Sequence, residues 1–125
     1  NDDILWLWGD HDILVSHLSF EECRGYGIKM QNTLREGRGL RNITISHCRF
    51  RNIGTRMIKG TGGDGVPVET GTIRHCDFEN TKIPPGHWLF EGNYVSAIDC
   101  MVLRNWTICD NVFRNIKGHS GGGRG

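Results

Sequence analysis

The sequence predicts an all-β solenoid of roughly three to four coils, and three observations carry that prediction. One eight-residue pattern occurs four times, as ILVSHLSF at 13–20, ITISHCRF at 43–50, GTIRHCDF at 71–78 and WTICDNVF at 106–113. The phenylalanines that end the copies lie 30, 28 and 35 residues apart, a spacing that marks a repeat architecture. Within each copy apolar side chains alternate with polar ones, the signature of short half-buried strands rather than of a helix. A content of 18 glycines with only 37% hydrophobic residues suits coils that each need a thin inward line of side chains and several turns.

Each element follows from its place relative to the Phe anchor. Seven before it stand Ile13, Ile43, Gly71 and Trp106, and five before it Val15, Ile45, Ile73 and Ile108. Three after it stand Cys23, Ile53, Thr81 and Ile116. These sets are mostly apolar, as the inward columns of stacked strands require, and Phe20, Phe50, Phe78 and Phe113 are expected to form one buried column. Two after the anchor come Glu22, Asn52, Asn80 and Asn115; eight before it come Asp12, Asn42, Thr70 and Asn105. Such residues tolerate tight-turn geometry and bond nearby backbone, so both sets read as corners, and Asn side chains there can also bond coil to coil.

A third strand completes each coil. It is predicted around Leu5-Trp6-Leu7-Trp8, Gly27-Ile28-Lys29-Met30, Met57-Ile58-Lys59-Gly60 and Ala97-Ile98-Asp99-Cys100. Its outward column is then Trp6, Lys29, Lys59 and Asp99. The whole chain, 1–125, reads as one repeat domain with a loop insertion over 82–96.

Three strands per turn, Asn at a corner and stacked aliphatic and Phe positions resemble the right-handed parallel β-helix of the pectin-lyase-like superfamily. The segments ITISHCRFRN and WTICDNVFRNI carry the likeness, which extends from about residue 4 to 117. It implies a right-handed parallel β-helix, a secreted, periplasmic or cell-surface location and a polysaccharide partner. It leaves activity open, because the superfamily spans lyases, hydrolases, epimerases, tailspikes and proteins without known reaction.

The same likeness implies a sugar cleft along the third strand. Lys29, Lys59 and Asp99 are then the candidate catalytic residues, with lysine as base or as partner of a uronate carboxylate in a β-elimination. Trp6, with His87, Trp88 and Tyr94 of the insertion, is the candidate sugar-binding set, since loops on rigid scaffolds carry function and aromatic rings stack on sugars. The competing expectation is a solvated face, a packing loop and a glycan-binding or structural module without catalysis.

Other patterns read as structure. His17, His47 and His75, continued by Asp110, form a straight column at ~4.8 Å spacing, which spreads ligands along a line rather than converging them on a metal. Asp10-His11-Asp12 supplies too few oxygens for Ca²⁺ and reads as a turn. No metal or other cofactor is expected from the residues, and Ca²⁺ enters only through the resemblance to pectate lyases. The GxGxxG string at 60–65 precedes Val66-Pro67 instead of a helix, so it is expected to be a loop and not a dinucleotide fingerprint. The sequons at Asn42 and Asn105 share one turn position, which explains both without glycosylation.

Five cysteines without CxxC pairing suggest no zinc site. Cys48 and Cys76 occupy equivalent places, close enough for a disulfide but better read as stacked buried thiols. A net charge of +1 with scattered charges offers no basic field for nucleic acid, and no apolar run reaches the ~20 residues of a membrane span. The chain opens on a strand without a signal-peptide pattern, and its final glycine-rich segment supplies no third strand. The expectation is an excerpt of a longer solenoid, partnered by further coils of the same chain and prone to aggregate when expressed alone.

Overall fold

The structure is a computed structural model that describes residues 2–32, 39–62, 66–84 and 95–118. Among them the chain forms twelve strands and no helix, so no helix is long and apolar enough to cross a membrane. The first rung is β1 (Leu5–Trp8), β2 (His11–Ser16) and β3 (Ser19–Cys23); the second is β4 (Ile28–Asn32), β5 (Arg41–Ser46) and β6 (Arg49–Ile53). The third is β7 (Arg56–Gly62), β8 (Val68–Arg74) and β9 (Asp77–Glu79), and the fourth β10 (Ser96–Cys100), β11 (Leu103–Cys109) and β12 (Val112–Arg114). Every strand pairs in parallel with its counterpart one rung away. The result is three four-stranded sheets, ordered β1-β4-β7-β10, β2-β5-β8-β11 and β3-β6-β9-β12. Visiting three sheets in strict rotation is consistent with a parallel β-helix.

The registers match the repeat. Phe20 pairs with Phe50, Phe50 with Phe78 and Phe78 with Phe113. Their rings stack at 4.9, 4.8 and 4.9 Å. Val15, Ile45, Ile73 and Ile108 align likewise. The first three members of each column are buried, whereas Phe113 and Ile108 are exposed, at 48% and 46%. This corrects the expectation of a fully buried column: β10, β11 and β12 each have a neighbour on one side only, so nothing among the described residues covers their outer face.

Two further corrections concern the third rung. Thr81 was placed in an inward column, but it is exposed and its amide donates to Asn52 Oδ1 at 2.9 Å. The strand there ends at Glu79, and the column gives way to a side-chain clamp. The string at 60–65 is not wholly a loop either, because Gly60, Thr61 and Gly62 continue β7; 63–65 lie outside the described residues. Gly60 is needed for packing, since a Cβ there would stand 2.8 Å from Cys100 Sγ. Gly71 makes the same kind of room for the Trp106 ring, whose Nε1 donates to the Val68 carbonyl at 2.9 Å.

Corners are made by single residues in the left-handed region. Asp12, Asn42, Thr70 and Asn105 have φ of 57, 55, 54 and 58°, and Glu22, Asn52 and Asn115 have 55, 56 and 49°. The sequons are therefore bends. Asn52 ties rungs together, donating to Glu22 Oε1 at 2.9 Å while accepting from Thr81. Cys48 and Cys76 are free and buried, and burial pushes the Cys76 thiol up to about 11, which leaves it a small apolar filler rather than a nucleophile.

One bend breaks the compositional rule. Gly9 (φ 68°) turns β1 into β2, and the equivalent residue between β10 and β11 is Val102, at φ 59°. A β-branched residue is strained there by roughly 1–2 kcal/mol. Val102→Asn, which installs the residue used at other bends, is expected to raise stability by about 1 kcal/mol. A urea melt with an unchanged or lower midpoint would show that the bend carries no strain.

Candidate functional site

The predicted outward column exists in register. Trp6 pairs with Lys29, Lys29 with Lys59, and Lys59 with Asp99, across β1, β4, β7 and β10. Its members do not share one environment. Trp6 and Trp8, which alternate with the inward Leu5 and Leu7, are 41% and 53% exposed, and their rings stack at 5.3 Å with an interplanar angle of 16°. The Lys29 ammonium lies 4.6 Å from the Trp6 ring centre and 5.5 Å from that of Tyr26, within cation–π range. Among the described residues no carboxylate pairs with Lys29.

Lys59 departs from the expectation of a solvated face. It is only 9% exposed, and its Nζ donates to Asp99 Oδ2 at 3.0 Å. Arg56 Nε donates to the same oxygen at 2.9 Å, and the Arg56 guanidinium stands 5.7 Å from the Tyr26 ring. Burial alone would raise the Asp99 carboxyl. Hydrogen bonds from Lys59 and Arg56, with their charges, outweigh it and hold the group below its ordinary value. Lys29 beside the stacked Trp6–Trp8 pair makes the face chemically suited to an anion that also presents an apolar ring.

Arg56 and Tyr26 were not among the residues singled out from the sequence. Strand alternation counts Arg56 with Ile58 and Gly60 on the inward side, and its position at the very start of β7 frees its long side chain to reach Asp99. Tyr26 precedes β4, where no alternation has begun. The insertion residues His87, Trp88 and Tyr94 lie outside the described residues.

The remaining candidates are structural. The Asp12 carboxylate accepts from Asn42 Nδ2 at 2.6 Å and lies 2.8 Å from His11 Nδ1; these contacts hold the carboxyl below its ordinary value against some desolvation. Asp10 accepts from the Trp8 amide at 3.3 Å, and His11 and Asp12, read as a turn from the sequence, instead open β2, with a left-handed bend at Asp12. Among the described residues no group of three or more His, Cys, Asp or Glu is placed to hold a metal ion.

No protein-family model matches the chain, and neither a curated protein nor a solved structure matches it. The likeness to pectin-lyase-like proteins therefore rests on the sequence pattern alone, and the order of the sheets is consistent with a parallel β-helix.

Proposed function

We propose that the chain is part of a right-handed parallel β-helix, secreted, periplasmic or at the cell surface, that binds an acidic polysaccharide on the outer face of β1-β4-β7-β10. Right-handedness is supported by the near-universal hand of parallel crossovers. The apolar outer rung at Ile108 and Phe113 supports further coils of the same chain stacking there. The observation that carries the functional reading is the exposed Trp6–Trp8 pair with Lys29 beside it. Flat rings offer stacking surfaces for sugars, and the lysine offers a charge to a uronate carboxylate. A repeat of ~4.8 Å between strands lets successive rungs address successive parts of one sugar chain.

Binding without cleavage is the reading this geometry favours. Lys59 and Asp99 spend their charges on each other and on Arg56, so a β-elimination would depend on Lys29 as base. Calorimetric titration of the chain with polyuronates tests both versions. Trp6→Ala and Lys29→Ala are each expected to weaken binding about tenfold, the loss of one aromatic or cation–π contact worth about 1.4 kcal/mol. Unchanged affinity in both variants would remove this face from consideration. Ultraviolet absorbance of an unsaturated product is expected to stay flat; its appearance, with loss in Lys29→Ala, would replace the binding reading by the lyase one.

A further inference from the structure

A second surface, on a different corner, is organised in a way the glycan reading does not use. His17, His47 and His75 each occupy the bend between the β2-β5-β8-β11 and β3-β6-β9-β12 sheets, at φ of 58, 52 and 54°. All three are exposed. Their rings lie face to face, 4.8 Å apart for His17–His47 with an interplanar angle of 3°, and 4.9 Å for His47–His75 at 27°. Their backbone amides make the rung-to-rung bonds of this corner: His17 donates to the Ser46 carbonyl, His47 to that of Arg74 and His75 to that of Asp110, at 3.3, 3.2 and 3.1 Å.

We infer that the His17–His47–His75 column is an acid-sensitive latch at this corner, closed while its imidazoles are neutral and loosened when they take up protons. Neutral rings stack at this spacing without penalty. Imidazolium rings at ~5 Å repel one another, and surface solvent screens that repulsion only in part. The groups facing the column offer little relief. Ser16 Oγ lies 2.6 Å from His17 Nδ1 and is neutral, as is Ser46, which donates to Ser16 Oγ at 3.3 Å. Arg74, beside His75, adds a like charge. Asp110, to whose carbonyl the His75 amide donates, holds the next position of the register past His75, and His47 has an imidazole on each face.

The middle ring is accordingly the one that resists charging. Desolvation first, then the charges of His17, His75 and Arg74, hold the His47 imidazole below its ordinary value of 6.5. A base held lower in the folded state is protonated first in the unfolded chain. Its contribution to stability is therefore full above 6.5 and is lost as pH falls through that value and below the folded one. The carboxyls held low elsewhere, Asp12, Glu22 and Asp99, remain ionised in that window and do not contribute to the loss.

The test is thermal melting of the chain between about pH 7.5 and about pH 5, comparing wild type with His47→Asn and with His11→Gln. Asparagine keeps the left-handed bend, which it adopts at other corners, while removing the middle charge; His11 is exposed and outside the column. Wild type and His11→Gln are expected to lose melting temperature equally on acidification, and His47→Asn to lose clearly less. A wild-type melting temperature flat across the window, or a His47→Asn loss equal to wild type, would overturn the latch. Proton titration of the imidazoles by NMR in the wild type provides a readout that needs no variant. His47 is expected to titrate below its ordinary value of 6.5, and titration at or above that value would also overturn the proposal.

Discussion

Replacing Phe50 by alanine is expected to destabilise the protein by about 3–5 kcal/mol, the range for truncating a fully buried phenylalanine. Phe50 is 0% exposed and lies between Phe20 and Phe78, with ring centres 4.9 and 4.8 Å away. Removing it costs its own transfer free energy and leaves a gap whose walls are two other rings, each losing a stacked partner. Strand pairing of β6 with β3 and β9 keeps those walls from closing in, so the cavity persists. The same change at Phe113, exposed on one side, is expected to cost less than half as much. Urea unfolding of both variants checks the pair. Equal losses would mean that stacking along the column, rather than burial, sets the energy.

Asp99→Asn is expected to cost about 2–4 kcal/mol near neutral pH, toward the lower part of the range for severing a buried ion pair. The lower part applies because the Asp99 side chain remains 21% exposed. The substitution keeps shape but removes the carboxylate charge to which both Arg56 and Lys59 donate, and their side chains are 7% and 11% exposed. The pH dependence has a definite sign. The folded carboxyl is held below its ordinary value of 3.8, so its contribution is present above that value and is lost as pH falls through the lower folded one. Wild type and Asp99→Asn should therefore differ by the full amount above about pH 4 and converge as pH falls below it into strong acid. A constant difference between them across that range would show that the carboxylate charge does not hold the cluster together.

Particular residues show how far the repeat could be read. The register of all four Phe positions, the inward aliphatic column and the alignment Trp6-Lys29-Lys59-Asp99 follow from counting alone, because a strand has a period of two and parallel stacking brings equivalent positions side by side. Counting is silent on which outward residues stay wet. Lys29 and Lys59 are identical in the repeat, yet Lys29 lies against aromatic rings and Lys59 is buried on Asp99. Arg56 escaped notice for a related reason, since a long side chain at a strand's first residue need not follow the strand's parity.

The amino-acid sequence on its own determined the all-β class, the number of strands per turn, most of the corner positions and, apart from Thr81, the register of the inward columns. Those properties arise from local alternation and from the backbone preferences of Asn, Asp and Gly, which a repeat restates in each copy. Only the tertiary structure decided that the rings of the His column lie face to face, that Val102 is forced into a glycine's conformation, and that Arg56, Lys59 and Asp99 form one charge cluster. Each of these depends on the distance between side chains more than twenty residues apart or on a bend angle. Such geometry is set by the packing of neighbouring rungs and not by any one stretch of sequence.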